Sequence, residues 1–181
     1  METKTPIIKM SLSNKRKGET RSEDFKCAYG VIRSSFNNYG AVYTDCSKDD
    51  ERVAAAVVTD SHILGKRLTN FASIFTAELN ATNLAFSYFK ISRNRRFIIF
   101  SDSKSVLEAM QNKRFDNPIV LAYVGLYNKS LDNAYCIVLC WIPSHIGTNG
   151  YEKADTAAKQ ALNKQLSPSM VPYTDFKPFI T

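Results

Sequence analysis

The feature that most restricts the fold is a change of apolar period near residue 70. Before it, three short strand-like runs, Tyr39–Thr44, Arg52–Thr59 and Ile63–Leu68, follow one another with little chain between them. Their β-branched and aromatic residues suit a pleated, half-buried surface. Connections as brief as Asp60-Ser61-His62 favour an antiparallel meander, with His62 most simply a turn residue. After it, Ala77, Ala81, Leu84, Ala85 and Tyr88 recur as one helical stripe, with Ser73 placed to cap it. Strand and helix then alternate. Phe97–Phe100 reads as a central strand buried on both faces, and Val106, Leu107 and Met110 open a helix. Pro118 suits the first turn of another helix, whose buried side is Ile119, Ala122 and Leu126. Tyr135–Trp141 is a second buried strand. Asn149 followed by Glu152 resembles a helix start, and that helix buries Ala154, Ala157, Ala158, Ala161 and Leu162. The order β-β-β-α-β-α-α-β-α predicts an α/β fold. In it a mixed sheet is flanked by helices, and the helix-connected strands run parallel to the first.

A chain of 181 residues, 44% of them hydrophobic, suits one domain with a real core plus tails. The net charge of +7 suits a polyanionic partner, but it is unevenly placed. Residues 1–38 carry eight Lys/Arg against four Asp/Glu, and residues 39–166 carry fifteen against twelve. Residues 1–38 read as a basic, flexible arm or linker, with room for a short ordered segment near Cys27–Ile32. Residues 39–166 read as the folded domain, and 167–181, with three prolines, as a tail. Lys15-Arg16-Lys17-Gly18 reads first as solvated tail, and otherwise as a localisation or nucleic-acid element. Arg93–Arg96 sits at the far end of its strand from Asp102, roughly 15–20 Å away, which favours a solvated loop.

The four cysteines form no Cys-x-x-Cys pair. Cys136 and Cys140 share a face of one strand and are expected in the core. Trp141 is likewise expected in the core rather than stacked on a base. No apolar stretch reaches the ~18 residues of a membrane span, and the N-terminus lacks a signal-peptide core. The expectation is a soluble monomer in a reducing, intracellular compartment, nucleus and/or cytoplasm.

Four acids occupy comparable places. Asp45 and Asp102 end two strands expected to be parallel neighbours, while Glu78 and Asp155 lie in the early turns of two helices. Each has a simpler reading: a turn for Asp45, the positive end of a helix for Glu78, a helix cap for Asp102, an i,i+4 pair with Lys159 for Asp155. Brought to one rim together, they would repel and raise one another's pKa. A divalent ion relieves that repulsion, and all-oxygen donors suit Mg²⁺ or Mn²⁺ rather than Zn²⁺.

Tyr43-Thr44-Asp45-Cys46-Ser47, Phe75-Thr76-Ala77-Glu78-Leu79, Phe100-Ser101-Asp102-Ser103 and Trp141-Ile142-Pro143-Ser144-His145-Ile146-Gly147, followed by Ala154-Asp155, resemble the ribonuclease H family. They are most similar to its members in non-LTR retrotransposon polyproteins. The resemblance covers roughly residues 39–166. It implies a five-stranded mixed sheet in the order 3-2-1-4-5, and endonucleolytic cleavage of the RNA strand of RNA–DNA hybrids during reverse transcription of a retroelement. It further implies two Mg²⁺ ions, for which Mn²⁺ substitutes, in a clamp of two ions roughly 3.5–4 Å apart. Asp45 would bridge both ions, Asp155 would complete the one that activates water, and Glu78 and Asp102 would hold the other. His145 matches the family's loop histidine, with a role in proton transfer or product release. Other domains of a retroelement polyprotein would be partners.

Three departures stand out. Cys46 occupies a place where the family commonly has glycine, and Cys requires ordinary backbone angles. Ile74, Phe75 and Thr76 stand where some relatives place Asn or Gln to read the minor groove. The segment between Asp102 and Trp141 has no basic protrusion. Hybrid recognition would then rest on 2′-hydroxyls, phosphates and shape. Two other readings remain open: a non-catalytic nucleic-acid-binding or connection module of the same fold, and a related integrase or resolvase acting on DNA.

Overall fold

The computed structural model describes residues 4–14, 20–112 and 117–176. Lys15-Arg16-Lys17-Gly18 lies outside the described residues. Twelve elements follow in order: β1 (Ile8–Lys9), α1 (Ser22–Ser35), β2 (Gly40–Lys48), β3 (Val53–Thr59), β4 (Ile63–Leu68), α2 (Ile74–Ile91), β5 (Arg96–Ser101), α3 (Lys104–Gln111), α4 (Pro118–Asp132), β6 (Cys136–Trp141), α5 (Asn149–Ala161) and α6 (Tyr173–Phe176).

The strands form one mixed sheet in the order β1-β6-β5-β2-β3-β4. β2, β3 and β4 are the antiparallel meander, and β5 pairs parallel with both β2 and β6. The expected count of five strands, in the order 3-2-1-4-5, is corrected to six. Ile8 and Lys9 add a strand parallel to Leu139 and Cys140 on the outer side of β6. Two residues carry too little periodicity to announce a strand, because partner and register are supplied by the sheet.

Side chains alternate between the two faces, as the pleat requires. Val42, Val57, Phe97, Ile99, Ile137 and Leu139 pack one way, into a core closed by α2, α3 and α4. Ala41, Tyr43, Ala56, Val58, Ile98, Phe100 and Val138 pack the other way, against Tyr151, Ala154, Ala157 and Ala158 of α5. Tyr88, Phe89, Phe97 and Tyr135 form an aromatic cluster in the first core, with Phe89 and Phe97 stacked at 4.1 Å.

The residues before the domain are not simply a flexible arm. α1 takes in the segment allowed near Cys27–Ile32 and extends it on both sides. Phe25 is buried, Ala28, Tyr29 and Ile32 pack on the α5-side core, and the Tyr29 hydroxyl hydrogen-bonds that of Tyr43 at 2.5 Å. The tail is also engaged. Leu166 bridges to Arg67 of β4, Val171 packs beside Ala72 and Ala77, and the Asp175 carboxylate accepts from the Ser73 N–H at 2.8 Å.

Local signals resolve as follows. Ser73 caps α2 by accepting from the Thr76 N–H, and Asn117 caps α4 with Pro118 in its first turn. The cap of α5 is Thr148 rather than Asn149, and the Thr148 side chain makes no capping bond. Cys140 is buried, but Cys136, which opens β6, is exposed, so only one of the pair is core. Trp141 is half-buried at the other end of β6. No helix among the described residues is long and apolar enough to cross a membrane.

Candidate metal centre

β2 does not end at Asp45, as expected from the sequence, but runs on to Lys48. Asp45 pairs with Ala56 of β3, while the parallel partner β5 matches β2 only as far as Tyr43 opposite Phe100. Asp45 therefore stands just past the end of its parallel neighbour, at the carboxyl rim where α/β sheets place ligands. Asp102 follows Ser101, the last residue of β5, at the same rim. Glu78 reaches it from the first turns of α2, the helix fixed at its start by Ser73 and Asp175. Carboxylate oxygens of Asp45, Glu78 and Asp102 all lie within 4.8 Å of one another.

Two of the three are buried, and their titration reflects it. Burial, then the Asp102 charge, pushes Asp45 up to about 7, with Asp155 adding to the rise; the Cys46 N–H and the Tyr151 hydroxyl oppose it. Burial, then Asp102 and Asp45, pushes Glu78 up to about 8, against a hydrogen bond from the Cys46 thiol. One oxygen of Glu78, Oε2, is buried with no hydrogen-bond partner among the described residues. A buried, unpartnered carboxylate oxygen facing two more carboxylates calls for a cation. Hard oxygen donors with an open side suit a divalent ion of the Mg²⁺ or Mn²⁺ type.

Asp155 is not part of this close trio. It lies on α5 with its side chain one-fifth exposed, and its Oδ2 accepts from Lys159 Nζ at 2.7 Å. The i,i+4 pair weighed from sequence thus exists, yet the Asp155 charge still reaches Asp45. His145 also stands outside the trio. It is exposed, in the β6–α5 loop, with φ 58°. That left-handed angle is uncommon for a residue other than glycine, and His adopts it more readily than most.

Cys46 is an ordinary β residue. It pairs with Ala55 within the meander, and its Sγ lies 4.0 Å from the Ile74 carbonyl at the start of α2. A glycine's conformational freedom is therefore not needed here, and the side chain instead fills space between β2 and α2.

Two contributors escaped the sequence reading. Tyr151, fully buried in the first turn of α5, lies close enough to Asp102 and Asp45 that their charges, after burial, raise its own pKa. Its place one helical turn before Asp155 was the available signal. Trp141 Nε1 donates to the Asp102 carbonyl at 2.9 Å, tying the end of β6 to the end of β5. Nothing in a strand-terminal Trp foretells that contact.

The RNase H family model matches residues 37–163, which takes in all four acids and His145. No curated protein matches the chain. The match covers well over half of the 181 residues and coincides with the elements that build the carboxylate rim, so the chain belongs to the RNase H family.

Proposed function

We propose that this protein hydrolyses the RNA strand of RNA–DNA hybrids, in the service of reverse transcription of a retroelement, using two divalent ions, Mg²⁺ or Mn²⁺. The observation that carries the reading is the trio Asp45, Glu78 and Asp102, with the orphaned Glu78 Oε2 at its buried side. Family membership supports the substrate class. Asp45, Glu78 and Asp102 would hold one ion, and Asp45 with Asp155 the other. When bound there, divalent ions supply charge neutralisation at phosphoryl oxygens and a water of lowered pKa.

The chain's own groups prepare the site. Tyr151 stands buried beside Asp45 and Asp102, and Trp141 fixes the Asp102 backbone. Lys159 holds the Asp155 carboxylate, on a side chain 61% exposed, so solvent screens much of the pair's energy. His145, exposed on its loop, would carry a proton to the departing strand end. Ile74, half-exposed at the first position of α2, offers no base-reading polar group, leaving phosphates, 2′-hydroxyls and duplex shape as the recognition elements.

The test is a divalent-metal titration with a labelled RNA–DNA hybrid, beside RNA–RNA duplex, DNA–DNA duplex and single-stranded RNA. The expected result is metal-dependent cutting of the hybrid RNA alone, lost in Asp45→Asn. Robust cleavage by Asp45→Asn would sink the metal-site assignment. Tight hybrid binding without cleavage would make the protein a non-catalytic module, and cutting of DNA duplexes or junctions would make it an integrase or resolvase relative.

A further inference from the structure

A cavity of about 460 Å³ opens between α1 and the start of α5. We propose that it is a phosphate-binding site, with Lys26, Lys153, the Thr148 hydroxyl and the first N–H groups of α5 as its ligands.

Four observations converge. First, α5 begins without the usual side-chain cap. Its first intrahelical bond runs from the Glu152 N–H to the Thr148 carbonyl at 3.0 Å, so the N–H groups of Asn149, Gly150 and Tyr151 precede it and Thr148 leaves them unaddressed. Such donors, at the positive end of a 13-residue helix, attract an anion. Second, Thr148 lines the cavity, is 4% exposed, and its Oγ1 has no hydrogen-bond partner among the described residues. A buried hydroxyl of this kind costs free energy unless something fills its valence. Third, two lysines from different elements flank the opening. Lys26 comes from α1 and Lys153 from α5, against the single carboxylate of Asp60. Gly147, at φ +73°, brings the backbone past Lys26 without a side chain between them; a Cβ there would lie 3.9 Å from Lys26 Nζ. Fourth, the wall carries the Tyr29–Tyr43 hydroxyl pair. One proton serves the bond between them, and the other is left to donate to a ligand.

Lys26 and Tyr29 lie outside residues 37–163, so the site is completed by a helix that the family match does not include. That gives α1 a task beyond covering the sheet. Thr148 precedes Asp155 by seven residues, about 10 Å along α5. At ~3.4 Å of axis per phosphate on one strand, the span is roughly three phosphates. The phosphate could therefore belong to a nucleic-acid strand passing the metal centre, or to free phosphate or a mononucleotide. The strand source rests on the hybrid-cutting reading, whereas the free source does not.

The experiment uses the full chain without divalent metal, comparing the parent with Lys26→Ala and Thr148→Val. Thermal melts in inorganic phosphate, in adenosine 5′-monophosphate and in chloride at equal ionic strength read the free source. Salt-dependent binding of an uncleaved hybrid reads the strand source. Phosphate should raise the parent Tm, with at least half of that shift lost in Lys26→Ala. Thr148→Val should melt no lower than the parent in chloride yet lose the phosphate response, because it removes an unpartnered hydroxyl. A slope of log K against log salt shallower by about 0.9 in Lys26→Ala, with weaker hybrid binding in Thr148→Val, assigns the strand source. A lost phosphate response with an unchanged slope assigns the free source. The same phosphate response and the same hybrid binding in all three proteins would overturn the site. Failure to bind hybrid at all would count against the proposed function, while the phosphate melts would still report on the cavity.

Discussion

Replacing Asp45 by Asn should stabilise the metal-free protein, and the gain should depend on pH in a set direction. In the unfolded chain an aspartate releases its proton near 3.8, whereas burial and the Asp102 charge hold that of Asp45 to about 7 in the fold. Between those values the folded state binds the extra proton, so the stability of the parent falls as pH climbs through this window and levels off above it. From pH 5 to pH 8, at ~1.36 kcal/mol per unit until the group is ionised, the parent should lose roughly 2–3 kcal/mol that Asp45→Asn does not lose. The amide oxygen of Asn can still accept from the Cys46 N–H, which Asp45 Oδ1 meets at 2.8 Å, so the local turn of hydrogen bonding survives. Any constant packing cost of the substitution cancels when the two pH values are compared. The assay is urea unfolding at pH 5 and pH 8 in chelator, repeated at pH 8 with Mg²⁺. With Mg²⁺ the order should reverse, because the parent gains by binding the ion and the variant gains less. Equal stability differences at the two pH values would refute the placing of Asp45 among buried, mutually repelling carboxylates.

Three further outcomes follow from the packing. Gly150→Ala should cost about 1–3 kcal/mol or more in denaturant melts, since a Cβ at that position falls on the Tyr43 ring, itself stacked on Phe100 at 5.3 Å; a neutral result would contradict that contact. Trp141→Phe should cost about 1 kcal/mol and weaken the Mg²⁺-induced rise in Tm, through the lost bond to the Asp102 carbonyl; an undiminished Mg²⁺ response would show that this bond does not position Asp102. Asp175→Ala should lower stability by about 1 kcal/mol and increase hydrogen exchange in the first turn of α2, and unchanged exchange there would mean that the tail does not hold the helix start.

The central elements were legible because their signals are local. The meander, the α2 stripe and the two buried strands each declare a period within about ten residues, and the Ser73 cap and Pro118 turn are short-range chemistry. The candidate site was legible as a set because topology carries strand ends to one rim, and Asp45, Glu78 and Asp102 do meet there. What was not legible depends on partners distant in the chain. β1 has only two residues and exists because β6 offers them a register. α1 shows in the sequence only as a short ordered segment near Cys27–Ile32, and its full extent and burial depend on Phe25 and on Tyr29 meeting Tyr43. Asp155 shows the limit at the site itself. Spacing fixed its pair with Lys159, but only the packing of α5 on β2 determines how far its carboxylate stands from Asp45. A lone aromatic early in a helix ordinarily signals core, and Tyr151 is core that also lies beside Asp45 and Asp102.

The cover over β6 and over the end of β4 has a consequence for how this domain can be isolated. β6 is covered by Ile8–Lys9, and β4 is met at Arg67 by Leu166 and by the Ser167 N–H, which donates to the Arg67 carbonyl at 3.0 Å. All of these covering residues fall outside the family-matched span of 37–163. A fragment trimmed to that span would keep every acid of the rim, yet it would bare a row of backbone donors and acceptors along β6 and open the end of β4. Open rows of this kind recruit strands from other copies. Fragment boundaries drawn from family similarity alone would therefore expose backbone edges that the flanking segments cover in the full chain.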